Sequence, residues 1–125
     1  MQPTPKPGEV DVWPLVVESV LKGEYVGVPQ NEVAGELVAR MLARDAKGRE
    51  SYGMPLQTHN GLDALEESLA EALDLCAYTR QAFEESKHGD DWTNHRMAVQ
   101  LAVRLLQRLR RRDQRRHAGD DLTKR

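Results

Sequence analysis

Leu62-Asp63-Ala64-Leu65-Glu66-Glu67-Ser68-Leu69-Ala70-Glu71-Ala72-Leu73-Asp74-Leu75-Cys76-Ala77-Tyr78-Thr79-Arg80-Gln81-Ala82-Phe83-Glu84-Glu85-Ser86 is the stretch whose reading decides the fold. Leu62, Leu65, Leu69, Ala72, Leu73 and Cys76 recur at helical spacing, so the run predicts one long amphipathic helix over about 62–86. His88-Gly89-Asp90-Asp91 then breaks the pattern, with Asp90 or Asp91 as the cap of a further helix. In that helix Met97, Leu101, Leu105 and Leu109 form one row, with Ala98, Ala102 and Leu106 beside it. After Leu109 arginines occupy every face, so the last turns are expected to leave the core.

Upstream, Asn31 is a suitable N-cap for a helix carrying Val33, Leu37 and Met41 beside Ala34, Val38 and Leu42, with Gly48 near its end. An earlier helix fits Val12–Leu21, with Pro14 in the first turn and Gly23 beyond the last. No alternating strand pattern occurs. The reading is an all-α fold of about four helices, packed as an antiparallel bundle and completed by oligomerisation. The expected domains are a proline-rich flexible arm at 1–10, a single helical domain at 11–109 and a basic tail at 110–125.

Composition bounds the function classes. The 125 residues, 39% hydrophobic and 30% charged, allow one domain-sized core, with about two-thirds of the unfolded surface buried. A single cysteine, Cys76, excludes an internal disulfide framework and a cysteine-rich zinc site. No apolar run approaches the roughly 20 residues that cross a bilayer, so a soluble, cytoplasmic protein without membrane contact is expected. The net charge of −2 conceals an asymmetry. From His95 onward ten Lys and Arg face three acids, while the remainder carries an excess of nine acids. Such a dipole suggests intersubunit contact or an anionic partner, and the arginine tail is a candidate nucleic-acid contact through phosphates.

Projected around the long helix, Asp63, Glu67, Glu71, Asp74 and Tyr78 fall within about 80° of arc, away from the apolar residues. Two explanations stand side by side. Most such stripes are solvated faces, but carboxylates a turn apart also suit a hard cation, Mg²⁺ or Mn²⁺, held through oxygen and water. The segment Arg49–Gly61, with two glycines, Pro55 and Asn60-Gly61, is long enough for a functional loop.

Tyr52-Gly-Met-Pro-Leu-Gln, then Asn60-Gly61, then Glu71-x-x-Asp74 and Tyr78-x-Arg80-Gln81 together resemble a family of small helical phage and prophage proteins. The match covers about residues 44–85, and the family implies no particular activity. Leu62 departs from it, since an arginine commonly follows the Asn-Gly. A second resemblance carries chemistry. Glu71-x-x-Asp74 followed by Tyr78 is similar to a metal-binding helix of the MazG-like, all-α nucleoside triphosphate pyrophosphohydrolases. The partner helix of that family supplies Glu-x-x-Glu, whereas Glu32 and Glu36 here lie four apart with Arg40 on their side.

That second resemblance implies a Mg²⁺-dependent pyrophosphohydrolase acting on nucleoside triphosphates as a homo-oligomer, with a pocket between subunits. Glu36, Asp63, Glu67, Glu71 and Asp74 would be the metal ligands, and Glu67, Glu71 and Asp74 the catalytic group. Arg44, Lys47 and Arg49 would neutralise phosphate, Tyr52 or Tyr78 would stack on a base, and Gln57 or Asn60 would bond its edge, with His59 and Arg80 in the same binding set. Each has an ordinary alternative: surface ion pairs for the arginines, a plug under the loop for Tyr52, an exposed loop histidine for His59, and turn or cap chemistry for Asn60. Cys76 reads as a small buried hydrophobe, and Trp13 and Trp92 as core anchors. The non-enzymatic alternative is a helical protein that binds a nucleotide or a host protein.

Overall fold

The computed structural model describes residues 4–123. It is all-α, with four helices: α1 (Val12–Leu21), α2 (Glu32–Tyr52), α3 (Ala64–Ser86) and α4 (Gly89–Thr123). Contacts divide the chain into two compact units, one ending at Leu62 and the other beginning at Asp63. The boundary falls inside the 11–109 span expected as one domain.

In the first unit α1 packs on α2. Val20 and Ala34 are its buried apolar residues. Asn31 caps α2 as its sequence suggests, its side chain accepting from the Val33 N–H at 2.9 Å. Gly48 does not end that helix. A mid-helix glycine costs about 1 kcal/mol against alanine without breaking the hydrogen-bond ladder, and α2 runs another turn to Tyr52. The stop is Gly53, at φ 72° in the left-handed region, its N–H donating to the Arg49 carbonyl at 2.8 Å. The loop is therefore shorter than the span from Arg49.

The proline-rich N-terminal stretch, read as a flexible arm, is hydrogen-bonded to that loop. Lys6 N–H donates to the Asn60 carbonyl, Glu9 N–H to Thr58, Thr58 N–H to Val10 and Val12 N–H to Leu56, at 2.8–2.9 Å. Gly8 is required here. A Cβ on it would lie 1.9 Å from the Thr58 carbonyl oxygen, closer than any packing allows.

The second unit is an antiparallel hairpin of α3 on α4. Asp63 caps α3, accepting from the Glu66 N–H at 3.3 Å, and Lys87 closes it at φ 55°. α4 begins at Gly89, one residue before the expected aspartate caps. Its first N–H groups are met from outside the helix: Asp90 N–H donates to the His88 ring and Asp91 N–H to the His88 carbonyl, both at 3.1 Å. Asp90 and Asp91 then fall in the first turn, where negative charge suits the helix dipole.

The seam follows a 4-3 alternation. On α3 the buried and half-buried residues, apart from Glu67, are Leu65, Leu69, Ala72, Cys76, Thr79 and Phe83. On α4, apart from Asp91 in the first turn, they are His95, Ala98, Ala102, Leu105, Leu109 and Arg112. This is the spacing of left-handed helix pairs, with alanines at its centre that let the backbones approach. Cys76 sits in the seam, half-buried, as a small apolar residue. The 4-residue row of Met97, Leu101, Leu105 and Leu109 enters the seam only with its last two members, and Met97 and Leu101 are left 58% and 44% exposed. α4 does not stop at Leu109. It continues unbroken for 35 residues against the 23 of α3, and Arg112 is docked on Asp63 at 2.8 Å.

Candidate functional site

The residues implicated by the sequence divide between the two units. In the first, the loop after α2 is organised by short polar side chains. Gln57 uses both ends of its amide: Oε1 accepts from the Gly8 N–H at 2.8 Å, and Nε2 donates to Asp11 Oδ1 at 2.9 Å. Asn60 is buried, its Oδ1 accepting from the Leu62 N–H at 3.1 Å. These are the turn bonds expected of asparagine next to glycine. The α3 cap is Asp63 rather than Asn60. His59, at φ 56°, is exposed and lies 3.2 Å from Glu9.

Arg49 joins Asp45 at 3.1 Å and Asp11 at 3.7 Å, so it ties the end of α2 to the start of α1. Arg44 and Lys47 are exposed on α2. Tyr52 is exposed at the C-terminus of α2 and does not plug the loop. Glu36 pairs with Arg40 at 3.1 Å, both side chains exposed.

In the second unit, Asp63 has a structural role. Arg112 donates to its Oδ1, and that bond, more than the Glu66 and Leu65 N–H groups, holds the carboxyl below its ordinary range. The same pairing raises the Arg112 guanidinium. Glu67 is half-buried, whereas Glu71 and Asp74 are exposed on the side of α3 away from the seam. Tyr78 is 67% exposed. Arg80 bonds Glu84 at 2.9 Å and lies 5.5 Å over the Trp92 ring. With Lys87 as the leading cause and Arg80 second, Glu84 is also held below its usual range.

Among the described residues, no three of His, Cys, Asp and Glu come together as a metal-ion group. The donors available to a cation on α3 are Glu71 and Asp74, three residues apart, with Glu67 a turn before. Two carboxylates fit a Mg²⁺ only where water and phosphate oxygens complete the shell.

Periodicity missed a cluster at the hairpin's closed end. Phe83 and Trp92 meet edge to face at 5.1 Å, the His95 ring lies tilted by 52° at 5.6 Å from Trp92, and Thr79 Oγ1 lies 3.1 Å from His95 Nδ1. Trp92 is 43% exposed, a lid on this end instead of a core anchor. Its signal was the match between the 4-3 spacing of Thr79 and Phe83 and that of His95.

The most distinctive surface lies along the hairpin's flanks. Leu73, Leu75, Met97, Val99, Leu101, Val103 and Leu106 are each 41–58% exposed. On one flank Leu75, Thr79, Met97, Ala98, Leu101 and Arg104 line a shallow groove of about 610 Å³. The chain matches no family model, no curated protein and no solved structure.

Proposed function

We propose that this is a helical interaction protein whose α3–α4 hairpin docks against another protein surface. One observation carries the reading: a helix normally buries its apolar stripe, yet the middle of α4 bears apolar residues on both sides of the seam, with Met97 and Leu101 on one and Val99 and Leu106 on the other still open. Contiguous apolar surface of this kind marks protein contacts more often than chance exposure. A photo-crosslinking residue at Leu101 should trap a protein adduct, and one at Gln107, on the polar back of α4, should not. Equal trapping at both positions defeats the docking reading.

A second reading, favoured by the exposed carboxylates Glu71 and Asp74, is the Mg²⁺-dependent nucleotide pyrophosphohydrolase. These two residues would hold the ion beside Glu67, and the ion would supply charge neutralisation and an activated water. Pyrophosphate release from nucleoside triphosphates, lost in Glu71→Gln and Asp74→Asn, is its test. The arginine-rich end of α4 is the element through which nucleic acid would be held, with binding that falls steeply as salt rises.

A further inference from the structure

We propose that the hairpin's partner is a second copy of this chain, docked groove to groove with both hairpins pointing the same way, so that four helices enclose the apolar rows that two leave open. This rests on the docking reading above and names its occupant.

The first support is area. α3 is about 34 Å long and two helices side by side are about 20 Å wide, which gives a face of about 700 Å². A standard protein interface buries about 800 Å² per partner. The hairpin face is thus the size a stable dimer needs, and Leu75, Met97 and Leu101 stand at its centre.

Charge fixes the orientation. From Asp63 to Asp74, α3 carries Asp63, Glu66, Glu67, Glu71 and Asp74 with no cation. From Arg104 to Arg116, α4 carries seven arginines against Asp113. Both runs lie at the open end of the hairpin, because Asp63 pairs with Arg112. A two-fold axis along the helices sets each α3 opposite the partner's α4 at the same height, acid against arginine on both sides. The head-to-tail alternative sets α3 on α3 and α4 on α4. It brings the acidic run against Arg80, Glu84, Glu85 and Lys87, whose charges cancel, and gives the arginines only Asp90 and Asp91 beside Arg96.

The register is equally specific. Asp63 with Arg112, Thr79 with His95 and Phe83 with Trp92 define which residues share a height. By the same rule Glu71 is level with Arg104, Leu75 with Leu101 and Tyr78 with Met97. Glu71 lies one turn before Leu75 on the same side of α3, and Arg104 lines the groove. Neither Glu71 nor Arg104 has an ion pair among the described residues. Each Glu71 therefore meets Arg104 of the partner subunit at the rim of the apolar strip.

Sedimentation equilibrium of the full chain should show a dimer, and Leu101→Glu should raise its dissociation constant by at least about tenfold by placing an unpaired charge in the interface. Helical circular dichroism should be unchanged, because Leu101 lies off the seam. Glu71→Arg and Arg104→Glu should each weaken the dimer, and an equimolar mixture of the two variants should recover it as a heterodimer, which no contact within one chain can do. A dimer indifferent to Leu101→Glu, or weakened variants that fail to rescue each other, overturns the proposal. A monomeric wild type overturns it too, and an apolar dye then separates the two ideas. Dye binding abolished by Leu101→Glu leaves the face open for a different protein, and no dye binding means the face is covered within one chain and the docking reading falls as well.

Discussion

The loop that follows α2 and the hairpin that follows the loop treat their unsatisfied groups in opposite ways. Around Gln57 and Asn60 nearly every polar group has an intrachain partner, down to both ends of one amide. Along α3 and α4 the backbone is satisfied by the helices and by caps at their starts, while leucine, methionine and valine side chains remain open. Polar groups are settled locally because an unpaired one is costly within its own fold. Apolar surface can wait for a partner, since its burial is non-directional and indifferent to which chain supplies the cover.

The largest effect that sharpens this contrast is expected at the seam. Leu109→Ala, at a residue 6% exposed, should cost about 2–4 kcal/mol by leaving a cavity, measured by urea unfolding. The equivalent truncation Leu73→Ala, at 56% exposure, should cost under about 1 kcal/mol in the same assay. Equal costs at the two sites would erase the distinction between seam and flank.

Next in size is Gly8→Ala. The added methyl meets a backbone oxygen that cannot swing aside, so the pairing of residues 6–12 with 56–60 must open. A loss of about 1–3 kcal/mol is expected, with faster amide exchange at Val12 and Thr58. Gln57→Ala should follow at about 1–2 kcal/mol, because the Gly8 N–H and the Asp11 carboxylate each lose a partner.

The smallest effect is a pH dependence. Asp63 is held below its ordinary value by Arg112. Its contribution is therefore complete above the unfolded-state value of about 4 and is lost as the pH falls through the lower folded value. Asp63→Asn should remove that contribution at neutral pH, a small loss as expected for an exposed pair, and match the wild type in strong acid, so that this part of the acid unfolding profile flattens. An unchanged acid profile would remove Asp63 from the list of groups that hold the hairpin's open end.

Helices were legible because their period is written in consecutive residues. Asn31 as a cap, Pro14 in the first turn of α1 and the apolar spacing of α3 are local signals, and they specify local structure. The end of α2 was harder to read, because Gly48 and Gly53 are alike on paper. Which one stops the helix depends on where the left-handed turn is needed, and the Asp45–Arg49 pair bridges Gly48 within the helix. The seam of α4 was read along 4-residue rows, but two helices in contact select a 4-3 alternation. That choice moved Met97 and Leu101 out of the seam and brought His95 and Arg112 into it.

Site chemistry was legible only as a stripe. The projection placed Glu71 and Asp74 on the outer side of α3, where they are, and could not distinguish Asp63 from them. A partner 49 residues away in sequence, Arg112, gives Asp63 its role. Gln57 and Asn60 illustrate the same limit: their residue types suit ligand recognition and backbone support equally, and only distances separate the two.

α4 outruns its neighbour. Arg112 lies level with the very start of α3, and the helix proceeds about 16 Å further to Thr123 with no α3 beside it. That extension is rich in residues that favour a helix, arginine and alanine among them. An arginine-specific protease should accordingly clip at Arg115 or Arg116 first, yielding a trimmed hairpin whose melting is almost unaltered. A trimmed hairpin that melts unchanged would make these last turns a handle, separable from the paired length that carries it.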